Sequence, residues 1–322
     1  MNLITGVAGF IGFHLAKELL EKGELVHGID NLNNYYSQAL KLDRLEYLKK
    51  FTNFTFDQLD LTNISEVQKK LTQLNPENVF HLAAQAGVRL PKADYQKYFD
   101  SNLVGFWNVI NHAVQLSTPN IVFASSSSVY GNQSEILSET IKILNPTSLY
   151  GVTKLSNELL AAKLVIGSSS RIRGLRFFTV YGPWGRPDMA YFKIMDCLKF
   201  NKPFKVNGDG EQIRDFTYIK DVVESTLLLQ EELKRREFGY FDLVNVGAGN
   251  PTSLNKLIEL SENFSKKKLI KTYGIIDSTE SNKTHSDRQY LNRLIRSQSS
   301  TPLEIGLKEF HNWHSRYHTK EL

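Results

Sequence analysis

The chain has 322 residues, 41% of them hydrophobic and 23% charged, which excludes a disordered or fibrous polymer and leaves enough apolar surface for a large core. The formal net charge of +5 is dispersed, apart from Lys266–Lys268 and the Arg235–Arg236 pair, and reads as a solvated basic surface without a nucleic-acid module. One cysteine, Cys197, excludes an intrachain disulfide; with no secretory layout and no apolar run long enough to cross a bilayer, a cytoplasmic protein without a membrane segment is expected.

In chain order, Asn2–Thr5 is a short apolar strand followed by a glycine turn, and Phe10–Lys22 carries apolar residues at helical spacing up to Gly23. Leu25–Asp30, Phe54–Leu59, Val79–Ala84, Asn120–Ser125 and residues 172–177 read as further strands. Helices near 38–50, 64–74, 95–116 and 150–166 separate them. This alternation predicts an α/β fold: a Rossmann-type doubly wound parallel sheet with right-handed crossovers and helices on both faces. Beyond Thr179 the pattern loosens. Gly182–Pro187 is punctuated by glycine and proline, Asp209-Gly210 is a turn signal, Phe241–Val246 reads as a strand and Leu303–Tyr317 as a terminal amphipathic helix. Residues 1–176, with a returning segment at about 212–246, are expected to form a dinucleotide-binding domain. Residues 177–322 are expected to form a smaller, irregular substrate-binding lobe over the strand ends.

Gly6, Gly9 and Gly12 follow the first strand and open the first helix, with Phe10 and Ile11 between the last two. Gly6 allows the tight turn, Gly9 lets the backbone approach a pyrophosphate, and Gly12 lets the helix pack close to the sheet. The helix N-terminus offers free N–H groups to the phosphates. Asp30 ends the second strand, where a carboxylate accepts from ribose hydroxyls and repels a 2′-phosphate, so NAD is favoured over NADP. Asp60-Leu61 and Leu82-Ala83-Ala84 follow later strands and are placed to line the adenine and nicotinamide-ribose pockets; strand-end packing explains each equally well.

Tyr150 and Lys154 are four apart on a helix, so their side chains share a face. An ammonium beside the phenol is expected to pull the tyrosine pKa down and make it a usable acid/base. Four serines, Ser125–Ser128, end a strand, where a hydroxyl can donate to a substrate oxygen. His14, His81 and His112 lack metal-ligand spacing and read as structural, so no metal is expected. Phe106, Trp107 and Val109 fit either a dimerising helix or a core-facing stripe.

The runs TGVAGFIGFH, GIDNLNNYY, HLAAQAGVR, DSNLVGF, ASSSSVYG, SLYGVTK, LRFFTVYGPWGRPDMA and RDFTYIKD span positions 5–221. In them the chain resembles the extended short-chain dehydrogenase/reductase family, and within it the UDP-glucuronate 4-epimerases, with Leu175–Ala190 the sharper match to the uronate branch. The resemblance implies an NAD cofactor, a UDP-sugar substrate, a homodimer and a place in polysaccharide biosynthesis. It implies Ser126, Tyr150 and Lys154 as catalytic residues. Asn31, Asn102, Ser125 and Phe177 would join the cofactor contacts. Ser127, Ser128, Thr179 and Arg186 would bind a sugar carboxylate, with Arg89 nearby, and Arg214 would bind the UDP phosphates. The family's second phosphate arginine is missing from the stretch Asp277–His285, where Glu280 and Lys283 stand, and residues 90–98 and 265–273 also depart from its usual wording. Decarboxylases and dehydratases of this family place carboxylates after the catalytic Ser/Thr. Here Ser127 and Ser128 follow Ser126, which favours epimerisation of UDP-glucuronate to UDP-galacturonate. A 4-epimerase of neutral UDP-hexoses, a UDP-glucuronate decarboxylase and a non-catalytic NAD-sensing protein are the alternatives.

Overall fold

The computed structural model describes residues 1–133, 136–275, 283–296 and 300–319. Its first half alternates β1 (Asn2–Thr5), α1 (Phe10–Glu21), β2 (Val26–Asp30), α2 (Gln38–Leu48), β3 (Phe54–Gln58), α3 (Ile64–Leu74), β4 (Asn78–His81), α4 (Gln96–Tyr98), α5 (Gly105–Gln115), β5 (Asn120–Ser126), α6 (Leu149–Leu164) and β6 (Arg171–Phe177). The remainder comprises β7 (Thr179–Tyr181), α7 (Ala190–Phe200), β8 (Phe204–Asn207), β9 (Ile213–Tyr218), α8 (Ile219–Leu233), β10 (Phe241–Val246), β11 (Pro251–Ser253), α9 (Leu254–Ser265), β12 (Lys271–Gly274), α10 (Gln289–Ile295) and α11 (Leu303–Thr319).

Seven strands form one parallel sheet in the order β10-β6-β5-β4-β1-β2-β3, the Rossmann-type arrangement expected from the sequence. Every residue of β1 and β4 is buried, because helices cover both faces of a parallel sheet and leave no solvated side. Val67 and Leu71 of α3 pack with Phe106 and Val109 of α5 and Ala161 of α6 in the cluster on one face. α1 and α8 pack together on the other. Chain direction around the sheet reverses between β1 and β4, so a crevice opens beyond their carboxyl ends.

The expected strand Val79–Ala84 ends early, at His81; Leu82–Ala84 leaves the sheet and crosses the glycine turn, where a Cβ on Gly6 would meet Ala83 N at 2.7 Å. The helix expected at 95–116 runs from Gln96 to Gln115, with its winding changed partway along. Phe99–Val104 is wound as a π-helix between α4 and α5, where Asn102 is drawn inward to bond Gln85 and Thr153. Phe106 and Val109 face the core, whereas Trp107 remains exposed.

A single apolar cluster runs from Ile4 and Phe13 through Phe192 to Phe310 and Trp313, joining the sheet to the later helices. Trp184 packs between the two at tilted angles, 5.2 Å from Phe13 and 5.4 Å from Trp313 by ring centroids. Arg44 of α2 is wholly buried at this seam, donating to Ala8 O (2.7 Å) on one side and to Trp184 O (2.5 Å) and Gly185 O (3.0 Å) on the other. Nothing in the pattern of residues near 44 marked that role, because a buried arginine reads in sequence as a surface charge. Among the described residues no helix is long and apolar enough to cross a membrane.

Candidate active site

A cleft of about 1020 Å³ lies over the carboxyl ends of the strands, and it gathers Gly6, Asp30, Ser126, Tyr150, Arg186 and Arg214 from separate parts of the chain. Gly9, Phe10, Ile11, Gly12, Asn31, Asp60, Leu61, Leu82, Ala83, Ala84, Ser125, Lys154 and Phe177 also line it, as do Arg89, Ser127, Ser128 and Thr179. Asn102 is the exception: it sits behind the wall, where its amide accepts from Gln85 N (2.7 Å) and donates to Thr153 Oγ1 (3.0 Å), bracing the loop after β4 against α6.

The floor of one half is backbone. Gly6 has φ +74°, and a Cβ on Gly12 would lie 2.2 Å from Gly6 O. Only glycine permits this approach of helix to turn. Gly9 caps α1 without a side-chain hydrogen bond, which leaves the leading N–H groups of the helix for an anion. Asp30 accepts from Ala8 N (3.1 Å) and Leu32 N (2.9 Å), so its carboxylate is tied to the glycine turn. Burial raises its pKa above the ordinary carboxylate range, while these bonds and the charges of Lys41 and Arg44 oppose the rise. Asp60 accepts from Asn31 Nδ2 (3.0 Å) and Thr62, which joins the ends of β2 and β3. This backbone cradle, with an acceptor at the end of β2, fits a dinucleotide.

Tyr150 stands at the start of α6, capped by Ser148, whose hydroxyl accepts from Gly151 N (3.1 Å). The expected depression of its pKa by Lys154 does not occur. Burial raises the phenol pKa, and the groups that oppose the rise are the Arg186 charge and a hydrogen bond with Ser126. Lys154 Nζ lies over the ring, 5.9 Å from its centroid, and donates to Ala124 O (2.8 Å). Burial brings Lys154 down to about 8, against the pull of Glu158. Glu158 is itself buried, accepts from Ser125 Oγ (2.5 Å) and pairs with Arg176 (2.8 Å). The Ser125 hydroxyl is therefore turned into the protein. Ser126 Oγ donates to Ser128 Oγ (3.1 Å) and accepts from Ser128 N (3.1 Å), which bends the chain out of β5 into the cleft.

The opposite wall carries arginines. Arg186 is paired with Asp188 through Nε (3.1 Å) and Nη2 (2.5 Å), a partner the sequence did not announce. Tyr35, from the loop after β2, donates to the same carboxylate (3.2 Å), and Tyr98 donates to Gly87 O (2.5 Å) with its ring 6.2 Å from that of Tyr150. Tyr35 stands in the run GIDNLNNYY and Asp188 in GRPDMA, but a motif does not say which side chains meet; Tyr98 lies in the atypical stretch 90–98 and carried no signal. Arg214 is brought down to about 10 by burial first and by the nearby charge of Arg89 second, the mark of two cations gathered at one place. Lys283 pairs through a β-bridge with Ile213, next to Arg214; Glu280 lies outside the described residues.

His14 donates to Pro183 O (2.9 Å), His81 meets Thr5 Oγ1 (2.9 Å) and His112 meets Thr72 Oγ1 (3.1 Å). Burial takes His14 and His81 down to about 3. A grouping not foreseen from the sequence joins Asp196 of α7 to His314 and His318 of α11, with Asp196 Oδ1 2.7 Å and 3.4 Å from the two Nε2 atoms. Hydrogen bonding to one carboxylate accounts for that grouping, which does not line the cleft.

Residues 2–247 match the model of the NAD dependent epimerase/dehydratase family. Protein CapI of Staphylococcus aureus is 40% identical over 99% of this chain and 99% of its own length. The UDP-glucuronate 4-epimerase of Thermodesulfobacterium geofontis is 38% identical, over 97% of this chain and 95% of its own. The crystal structure of UDP-glucuronic acid 4-epimerase from Bacillus cereus, in complex with UDP-glucuronic acid and NAD, superposes with a TM-score of 0.91 at 33% identity, covering 98% of this chain and 99% of that one.

Proposed function

The chain belongs to the NAD dependent epimerase/dehydratase family, and from that premise we propose that it inverts C4 of a UDP-sugar, converting UDP-glucuronate to UDP-galacturonate. The observation that carries this reading is the meeting of Tyr150, Ser126 and Lys154 with Arg186 in one cleft. The cradle of Gly6, Gly9 and Gly12, with Asp30 at the end of β2, would hold the cofactor. NAD, when bound there, would supply the acceptor and then the donor of a hydride. Tyr150 takes the proton of the sugar 4-hydroxyl and returns it after the 4-keto sugar has turned over. Lys154 would hold the nicotinamide ribose, and Ser126 would donate to the C4 oxygen. Tyr150 takes that proton as the phenolate, which the Arg186 charge and the hydrogen bond with Ser126 favour and burial opposes.

Arg186, Thr179, Ser127 and Ser128 receive the uronate carboxylate, guanidinium against carboxylate through two hydrogen bonds. Arg214 and Arg89 face the UDP phosphates. The catalytic serine is followed by serines and not by a carboxylate, so no base stands there for the dehydratase or decarboxylase chemistry. Residues 1–176 with the returning segment at about 212–246 hold the cofactor, and 177–322 the sugar. Exposed Phe99, Val104 and Trp107, together with Val152 and Leu159 of α6, support a homodimer through these helices. We place the protein in the cytoplasm, supplying a uronate for polysaccharide synthesis.

The test is incubation of pure protein with UDP-glucuronate, UDP-glucose and UDP-N-acetylglucosamine, followed by chromatographic separation of 4-epimers. UDP-galacturonate is the expected product, with bound NAD in the same preparation. Turnover of the neutral sugars alone would assign the enzyme to the neutral-hexose branch, and evolved carbon dioxide with a pentose product would assign it to the decarboxylases.

A further inference from the structure

We propose that Asp188 is a positioning residue for the substrate, locking one edge of the Arg186 guanidinium so that the other edge meets the sugar carboxylate squarely; the proposal rests on the uronate reading above. A guanidinium has two edges able to grip a carboxylate, one formed by Nε with one terminal nitrogen and one formed by the two terminal nitrogens. Asp188 occupies the first, with Nε–Oδ1 at 3.1 Å and Nη2–Oδ2 at 2.5 Å. The edge that remains includes Nη1, and it lies in the plane that Asp188 fixes.

Asp188 is in turn held by the loop after β2. The Tyr35 hydroxyl donates to Oδ2 (3.2 Å), and a Cβ on Gly87 would fall 2.1 Å from that hydroxyl, so the glycine leaves the space Tyr35 uses. Pro187 lies between the paired residues and stiffens the backbone that joins them. Burial pushes the Asp188 pKa up, but Arg186 and the Tyr35 hydroxyl outweigh it and keep the carboxyl ionised. The pair is thus electrically neutral. A substrate carboxylate is distinguished from a hydroxymethyl group by two directed hydrogen bonds more than by net charge.

The need for such rigidity follows from the chemistry of a 4-keto uronate, which is a β-keto acid. If its carboxylate swings so that the C5–C6 bond aligns with the carbonyl π system, that bond breaks. Its electron pair enters the C4 carbonyl as an enolate, carbon dioxide leaves, and a solvent proton adds at C5 to give a 4-keto pentose. An unrestrained arginine has many rotamers and holds a carboxylate loosely. With one edge pinned, the carboxylate it grips is denied the swing.

The experiment compares wild type and Asp188→Asn as full-length proteins with their copurified cofactor. With UDP-glucuronate, Asp188→Asn should raise KM about tenfold, the scale of one charge-assisted hydrogen bond, and leave kcat within about threefold. The pentose fraction, read by mass spectrometry, should rise about tenfold or more over wild type. The Kd for UDP-glucuronate, measured by calorimetry in a Tyr150→Phe background, should rise in parallel with KM. Wild-type KM, Kd and product partition in a folded Asp188→Asn protein overturn the proposal. A wild-type enzyme inactive on UDP-glucuronate removes the uronate reading, and the proposal with it, before any variant is made. If Asp188→Asn does not fold, Tyr35→Phe decides: a shift of about threefold in the same directions supports the proposal, and no shift overturns it.

Discussion

The wall proposed for the cofactor takes Gly6, Gly9 and Gly12 from one turn, while the wall proposed for the substrate takes Arg89 and Arg186 from two loops and Arg214 from β9. On the first wall the contacts are backbone atoms, and the sequence contributes chiefly by omitting side chains. On the second, side chains meet side chains: Asp188 pairs with Arg186, Tyr35 with Asp188, and the charge of Arg89 lies near Arg214. A backbone cradle therefore fails all at once when an atom is added, whereas a side-chain wall loses selectivity by degrees.

Gly12→Ala should break the contrast hardest. Its Cβ would lie 2.2 Å from Gly6 O and 3.0 Å from Val7 Cα, both backbone, so no side chain can move aside. The expected outcome is protein purified without bound NAD and destabilised by about 3 kcal/mol, measured by cofactor content and urea unfolding. Full cofactor occupancy in this variant would show that the cradle is not built from backbone approach. Tyr150→Phe separates the walls differently. It should keep the cofactor and cut kcat by at least ~100-fold, the lower scale for acid/base catalysis. Turnover equal to wild type would remove the phenol from the mechanism.

The smallest effect sharpens the seam between the walls, where His14 of α1 donates to Pro183 O of the substrate loop. Burial holds its pKa at about 3 against 6.5 in the unfolded chain. Between those values the unfolded state binds more protons, so the stabilising contribution is complete above pH 6.5 and is lost as pH falls toward 3. His81 titrates in the same window. In His14→Gln, the dependence of the urea midpoint on pH between 6.5 and 4 should flatten, by up to about 1.4 kcal/mol per pH unit of stability. An unaltered slope would place the acid sensitivity elsewhere.

Legibility in the sequence follows the same division. The strand-turn-helix frame of the glycines, the acidic end of β2 and the i,i+4 spacing of Tyr150 and Lys154 are local, and local spacing is what a sequence displays. The error about Tyr150 arose because spacing places Lys154 on the same helical face without saying that its ammonium donates to Ala124 O. Asn102 was expected at the cofactor and instead braces Gln85 and Thr153, because the inward turn of residues 99–104 requires a π-helix that periodicity does not register. Arg44 went unnoticed because its partners are carbonyls far along the chain.

By itself the sequence determined the alternation of strands and helices, the glycine turn between β1 and α1 and the placing of Tyr150 and Lys154 on one helical face, since each depends on residues within a turn or two of one another. Only the tertiary structure decided which groups tune that phenol, how the arginines are held and how the two walls are tied together. Those outcomes depend on burial and on contacts between distant residues, and neither is a property of any short stretch of chain.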